Sequence, residues 1–295
     1  MAGSGGGKDV EAAFEALAAR WRALGEPDRG ALLEGGFPVL FSYNSGKIEN
    51  DEITLHDTRE VFDRGRVVSF TGDPRTIFEI ANLKAAWGKM VELSRARTAV
   101  SVDELLDVHR TLTQGTYDEA RWSKGERPGA FKRGDYVVAG DVGYGPSEVP
   151  GAVESLLAEL AEWNGRLEGI PPRKALTVAC YAHAALVDIH PFADGNGRTA
   201  RSLMNILLMR AKCPPVCVDE RDRMAYYGAL DAFHAEGDLG HFVSFCMVES
   251  LKTWGSRIER ALAPAPHVIA SSAKRAASNS KSAPGDSRMA KKLQS

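Results

Sequence analysis

Large apolar residues recur at steps of three and four along most of this chain, while sustained alternation of apolar and polar residues is nearly absent. Val10, Phe14, Leu17, Trp21 and Leu24 set the pattern; Ile77, Ile80, Leu83, Trp87 and Met90 repeat it, as do Val149, Val153, Leu156, Leu160 and Trp163. Such spacing gathers each set on one face of a helix with about 3.6 residues per turn. Further helices are expected over about 173–189, 198–211 and 240–258. The one strand-like piece is Asp135 to Gly140, where Tyr136, Val137 and Val138 stand between glycines. The chain is therefore expected to be all-α, with one small hairpin and no internal repeat.

The two ends differ from the middle. Residues 1–7 are rich in Gly and Ser and are expected to be irregular; Lys8 follows glycines but lacks the remaining residues of a phosphate loop. Residues 263–295 carry Lys274, Arg275, Lys281, Arg288, Lys291 and Lys292 against one acid, Asp286. That tail, with few large apolar residues, reads as solvated and disordered. The expected organisation is a flexible segment plus helix over 1–35, a main domain over 36–262 and a basic tail over 263–295. The formal charge of −2 gives the whole chain no nucleic-acid signature. No apolar run approaches the ~18 residues of a membrane span, and Lys8, Asp9 and Glu11 interrupt any leader-like stretch. Four cysteines make no disulfide framework. Cys180 and Cys246 lie in apolar helical runs, and the Cys213/Cys217 pair lacks a second pair for zinc. A cytoplasmic protein with no membrane contact is expected.

One segment concentrates chemistry: His190-Pro191-Phe192-Ala193-Asp194-Gly195-Asn196-Gly197-Arg198-Thr199-Ala200-Arg201. Pro191 ends an apolar helix, because it disfavours helical geometry at the residue before it. Asp-Gly and Asn-Gly then accommodate a turn, and a second apolar helix begins near Arg198. The start of that helix offers unpaired N–H groups and the positive end of the macrodipole to an anion. Arg198 and Arg201, three apart, project from one face and suit bidentate phosphate contacts. Asp194 is a hard oxygen ligand of the kind Mg²⁺ prefers beside a polyphosphate. His190 takes a proton near neutral pH. These residues in this order point to nucleotidyl or phosphoryl transfer.

The segment resembles the motif of the Fic family, His-x-Phe-x-Asp/Glu-Gly-Asn-Gly-Arg-x-x-Arg, with every specified position present, and the resemblance extends over about 36–260. It implies AMPylation, the transfer of AMP from ATP to a hydroxyl of a target protein, and a helical core carrying a hairpin flap. By that resemblance His190 would be the general base and Phe192 a structural anchor. Asp194 would hold Mg²⁺, and the amides of Gly195, Asn196 and Gly197 would bind phosphate. Arg198 and Arg201 would grip the β- and γ-phosphates. Phe131 to Asp141 resembles the flap, whose edge at Val137, Val138, Ala139 and Gly140 would hold the target backbone by strand addition. Arg223 to Tyr227 resembles the adenine-pocket stretch, with Tyr226 and Tyr227 as its aromatics. For two tyrosines at helical spacing, core packing remains the alternative. His234 stands where related sequences often have Asn.

Ser45-Gly46-Lys47-Ile48-Glu49-Asn50 resembles the family's inhibitory motif, Ser/Thr-x-x-x-Glu-Gly/Asn, in the N-terminal position of class II members. It implies that Glu49 pairs with Arg201 and keeps the γ-phosphate from settling, with Ser45 and Asn50 completing the motif. Read locally, a Glu in a first helix turn complements the macrodipole and nothing more. The expected partners are ATP, a target protein with an acceptor hydroxyl, and the chain itself as an AMP acceptor; a homo-oligomer stays open. Two other readings stay open beside transfer: removal of AMP in the same site, with Glu49 orienting water, and a nucleotide-sensing module without turnover. His183, two turns before His190, reads as a core histidine.

Overall fold

In the computed structural model, residues 4–138 (apart from 97) and 141–262 are described. The expected basic tail, 263–295, and flap residues Ala139 and Gly140 lie outside them. Twelve α-helices, two single-turn 3-10 helices (Leu167–Gly169 and Glu220–Asp222) and one two-stranded hairpin make up the regular structure of the described residues. The helices are α1 Ser4–Ala23, α2 Glu26–Glu34, α3 Phe37–Lys47, α4 Leu55–Arg64, α5 Pro74–Arg95, α6 Val102–Thr113, α7 Glu119–Ser123, α8 Val149–Asn164, α9 Pro172–Ile189, α10 Asn196–Arg210, α11 Arg223–Glu236 and α12 Gly240–Leu262. Strands β1 (Val137–Val138) and β2 (Asp141–Val142) pair antiparallel, Val137 with Val142 and Val138 with Asp141. The all-α expectation with one hairpin holds. Residues 4–7 differ from their expected irregularity, since α1 already begins at Ser4; residues 1–3 lie outside the described residues.

Local chemistry sets the helix ends. Thr54 accepts from Asp57 N–H at the start of α4, Asp73 from Arg75 N–H at the start of α5, and Asp118 from Arg121 N–H at α7. Ser101 and Glu104 form a reciprocal capping box on α6. Helix α9 stops at His190, whose φ of 51° is left-handed, and Pro191 follows.

Aromatic packing joins the distant helices. Trp21 of α1 meets Trp254 of α12 edge to face at 4.7 Å, and Phe37 of α3 touches both Trp254 and Trp87 of α5. Phe14, Leu17, Trp21 and Leu24 thus enter the same core as α9 and α10. Helix α10 is buried around almost its whole circumference, including its polar residues Asn196, Arg198, Arg201 and Asn205. Buried polar groups must find partners inside the protein, and those partners build the site.

Candidate active site

The loop between α9 and α10 is stitched by Asn196. Its Oδ1 accepts the Phe192 N–H at 2.9 Å, and its Nδ2 donates to Phe192 O at 2.8 Å. Phe192 therefore fixes which way the amide points, because the flipped amide would set donor against donor and acceptor against acceptor. Nδ2 also lies 2.9 Å from His190 Nε2, so it is the donor there too. Nε2 must then carry the lone pair, and the neutral imidazole keeps its proton on Nδ1. Burial first, and the Lys132 ammonium second, push the His190 pKa down to about 4 against the opposing pull of Asp194 and Glu49. The histidine is a free base at neutral pH.

Beneath the loop, Phe192 is fully buried and stacks on His109 of α6 at 3.7 Å, nearly parallel. His109 Nδ1 accepts Gly129 N–H at 3.0 Å, which leaves Nε2–H to donate to Asp194 O at 3.0 Å. Burial lowers this imidazole to about 4 as well, keeping it neutral in that tautomer. His109 lies far from the motif in sequence, and no spacing signal reveals it. Gly195 takes a φ of 82° and starts α10. The first backbone bond of the helix runs from Thr199 N–H to Gly195 O at 3.0 Å. The Gly195 N–H, expected to bind phosphate, is instead donated to Asp194 Oδ1 at 2.6 Å, while the N–H groups of Asn196, Gly197 and Arg198 lack intrahelical acceptors, as a helix start that suits an anion does.

Asp194 is held from two sides. Arg198 Nη2 donates to its Oδ1 at 3.0 Å, and Arg75 Nη2, from the first turn of α5, donates to its Oδ2 at 2.6 Å. Burial pushes its pKa up, but Arg198 and Arg75 outweigh that and hold it below the usual carboxylate range. Arg75 also meets buried Glu79, at 3.0 Å. Among the described residues no group of three or more His, Cys, Asp or Glu side chains forms a ready-made metal cage. A single carboxylate beside an anion-binding helix start matches a cation that draws its other ligands from phosphates and water, as Mg²⁺ does.

Arg201 is almost wholly buried and fully engaged. Its Nε donates to Ser45 Oγ at 3.0 Å, and its Nη2 to Ser45 O at 2.9 Å and Glu49 Oε1 at 2.8 Å. Its Nη1 donates to Tyr226 Oη at 3.2 Å. Although burial acts against its charge, Tyr226 and Glu49 raise its pKa further. Glu49 lies just past the C-terminus of α3, where its N–H donates to Gly46 O. This corrects the first-turn placement: a carboxylate at that end opposes the macrodipole, so local helix stability does not explain it. Asn50 anchors the turn by donating to Thr76 Oγ1 at 3.1 Å and Glu79 Oε2 at 2.8 Å. A Cβ on Gly197 would lie 2.6 Å from Glu49 Oε1, so the carboxylate rests directly against the first turn of α10. Arg198 and Arg201 are the two arginines that the sequence reading put on one face for phosphate. Each is buried and already paired.

Tyr226 stands behind Arg201, buried, with its hydroxyl also 3.0 Å from His183 Nε2. It is a support for Arg201 here, and of the two tyrosines only Tyr227 is exposed. His183 is a core residue, pushed well below the usual range by burial, and hence neutral. His234 pairs with Asp188, two residues before His190. The hairpin is tied to both flanks of His190: Lys132 N–H donates to Pro191 O at 2.9 Å and Tyr144 N–H to Ile189 O at 3.2 Å. Buried Glu126 braces its base by accepting from Arg133 N–H, Gly134 N–H and Tyr136 Oη.

Residues 99–208 match the model of the Fic/DOC family. The chain is 34% identical over 206 residues to "Protein adenylyltransferase Fic" of Drosophila persimilis, covering 69% of this chain and 37% of that protein. It is 33% identical over 207 residues to the protein of the same name from Culex quinquefasciatus, covering 69% and 38%. The chain thus spans little more than a third of the length of these curated relatives. Among solved structures, Fic-1 (aa134 - 508) of C. elegans aligns with a TM-score of 0.67 at 25% identity, over 86% of this chain and 71% of that one. A Fic domain containing signaling protein of Bacteroides thetaiotaomicron shares the fold, with a TM-score of 0.71 at 21% identity over 84% and 96%. Among the described residues, no helix is long and apolar enough to cross a membrane.

Proposed function

The chain carries a domain of the Fic/DOC family, and from that premise we propose that it is a protein adenylyltransferase, moving AMP from ATP onto a Tyr, Thr or Ser hydroxyl of a target protein. The observation that carries the reading is the pairing, on one short loop, of an unprotonated His190 Nε2 with the three unbonded N–H groups of the α10 start. The target hydroxyl displaces the Asn196 amide from His190 Nε2, which then takes its proton. The freed oxygen forms its bond to the α-phosphorus, and the α–β bridging bond breaks to release pyrophosphate. The amides of Asn196, Gly197 and Arg198 face the charge that builds on phosphate oxygens. Asp194 would hold Mg²⁺, which when bound neutralises polyphosphate charge. The hairpin, hooked on both sides of His190, would present the target by strand addition at Val137 and Val138. In the resting chain Glu49 occupies Arg201 and crowds Gly197, so we read the protein as autoinhibited.

Incubating the chain with α-labelled ATP, Mg²⁺ and a cell lysate should label protein. Nucleotide binding without label would favour a sensor, and loss of label from pre-modified protein would favour the reverse reaction.

A pH profile tests the base. His190 is depressed to about 4 in the nucleotide-free chain, so its base form persists until the pH falls through that value. The acid limb of kcat/KM, which reports free enzyme, should therefore lie well below the 6.5 of an ordinary histidine. The negative charge of bound nucleotide favours the imidazolium, so the limb of kcat should lie higher. A kcat/KM limb at or above 6.5 would contradict the assignment.

A further inference from the structure

We propose that Lys132 is a phosphate ligand of this site, its Nζ gripping the transferred phosphate of the nucleotide from the hairpin side, opposite the α10 amides. The inference rests on the adenylyltransferase reading above and adds a residue outside the motif.

Lys132 is 2% exposed, and its Nζ is buried with no hydrogen-bond partner. Buried ammonium groups are normally paired, because leaving one unpaired costs several kcal/mol. The position is fixed rather than incidental. Its N–H holds Pro191 O, its neighbour Phe131 stacks on Phe192 at 6.0 Å, and the next N–H, of Arg133, is held by Glu126. The chain therefore pins a lysine beside the catalytic loop and gives its charge nothing to hold. Burial lowers its pKa, while Asp135 and Glu126 act the other way from a distance. The nearby cations differ in this respect. Arg75, Arg198 and Arg201 are each already engaged by carboxylates. Beside the catalytic loop, among the described residues, Lys132 is the cation these pairs leave over, and its charge adds to the burial that depresses His190. An anion arriving between Lys132 and the α10 amides would satisfy both, and a phosphate undergoing attack by a hydroxyl beside His190 must lie close to that imidazole. The ammonium also stabilises the charge gained by the phosphate oxygens as the α–β bond breaks.

The test is Lys132→Met, similar in length and uncharged, alongside Lys132→Arg, measured by calorimetry with AMP and with adenosine. Charge-assisted hydrogen bonds support a loss of about ten- to a hundred-fold in AMP affinity, with adenosine binding unchanged and partial recovery in Lys132→Arg. The thermal midpoint should rise in Lys132→Met, since an unpaired buried charge is gone; a lysine that merely braces the hairpin predicts a fall. His190 is faced by Lys132, Asp194 and Glu49, so removing the cation should also move the acid limb of kcat/KM upward. That shift is read in the Glu49→Gly background. Wild-type AMP affinity in Lys132→Met, in a wild-type chain that binds AMP, overturns this inference and leaves the proposed activity standing. A wild-type chain that binds neither AMP nor ATP overturns the activity and this inference together.

Discussion

Glu49→Gly is expected to raise auto-AMPylation by about two orders of magnitude, because an error of ~1 Å in the placement of reacting atoms costs ~10²-fold in rate. The contact removed is specific. Glu49 occupies one arm of Arg201 at 2.8 Å, and its Oε1 lies only 2.6 Å from where a Cβ on Gly197 would stand. Both the guanidinium and the loop surface proposed to meet the triphosphate are thus occupied. Removing the carboxylate leaves Arg201 with Ser45 Oγ, Ser45 O and Tyr226 Oη. The guanidinium is not stranded, and the cost of ~3–5 kcal/mol for breaking a buried pair should not be incurred in full. Glu49 also stands at the negative end of α3, so the helix gains from its loss if anything. Glu49→Gln keeps the volume and should activate in part. Label incorporation and thermal melts on the same preparations decide the matter: unchanged or lower labelling would remove the inhibitory role.

His190→Ala, placed in that activated chain, is expected to cancel the gain, with a loss of ~10²–10⁴-fold. Nucleotide affinity should survive, because the amides of the α10 start, Arg198 and Arg201 are untouched. The loop should also keep its shape, since Asn196 retains both bonds to the Phe192 peptide when Nε2 disappears. Calorimetry with ATP, beside rates of label incorporation, separates the two effects. Activity equal to the activated parent, at equal folding, would rule out His190 as the base.

The sequence carried the loop and the helices that hold it, because those depend on residues near one another. Pro191, the glycines and the three-four spacing of α9 and α10 are local signals. So is the Ser45–Asn50 segment, although the end of α3 at Lys47, which puts Glu49 past the helix, was not legible. The short helices α2 and α7 bury no residue and gave no pattern to read. What remained hidden depends on chain crossings. Arg75 reaches Asp194 across 119 positions and His109 reaches the same residue across 85. No periodicity encodes those meetings. The roles of Tyr226 and Lys132 likewise follow from what burial leaves them to touch.

The bare Cα of Gly197 has a consequence for how this protein can change over generations. The clearance that admits the Glu49 carboxylate lies on the same face of the loop whose amides would meet phosphate. If Glu49 is the lock proposed above, a side chain introduced there would evict it and obstruct the nucleotide in one step, so the loop could not escape inhibition by its own mutation without losing its purpose. Glu49 bears no such double duty, and a change at that one codon frees the site at little structural expense. Unrestrained variants should therefore accumulate in the α3–α4 turn and be missing from the loop. A random library selected for self-labelling would register that lopsided distribution directly.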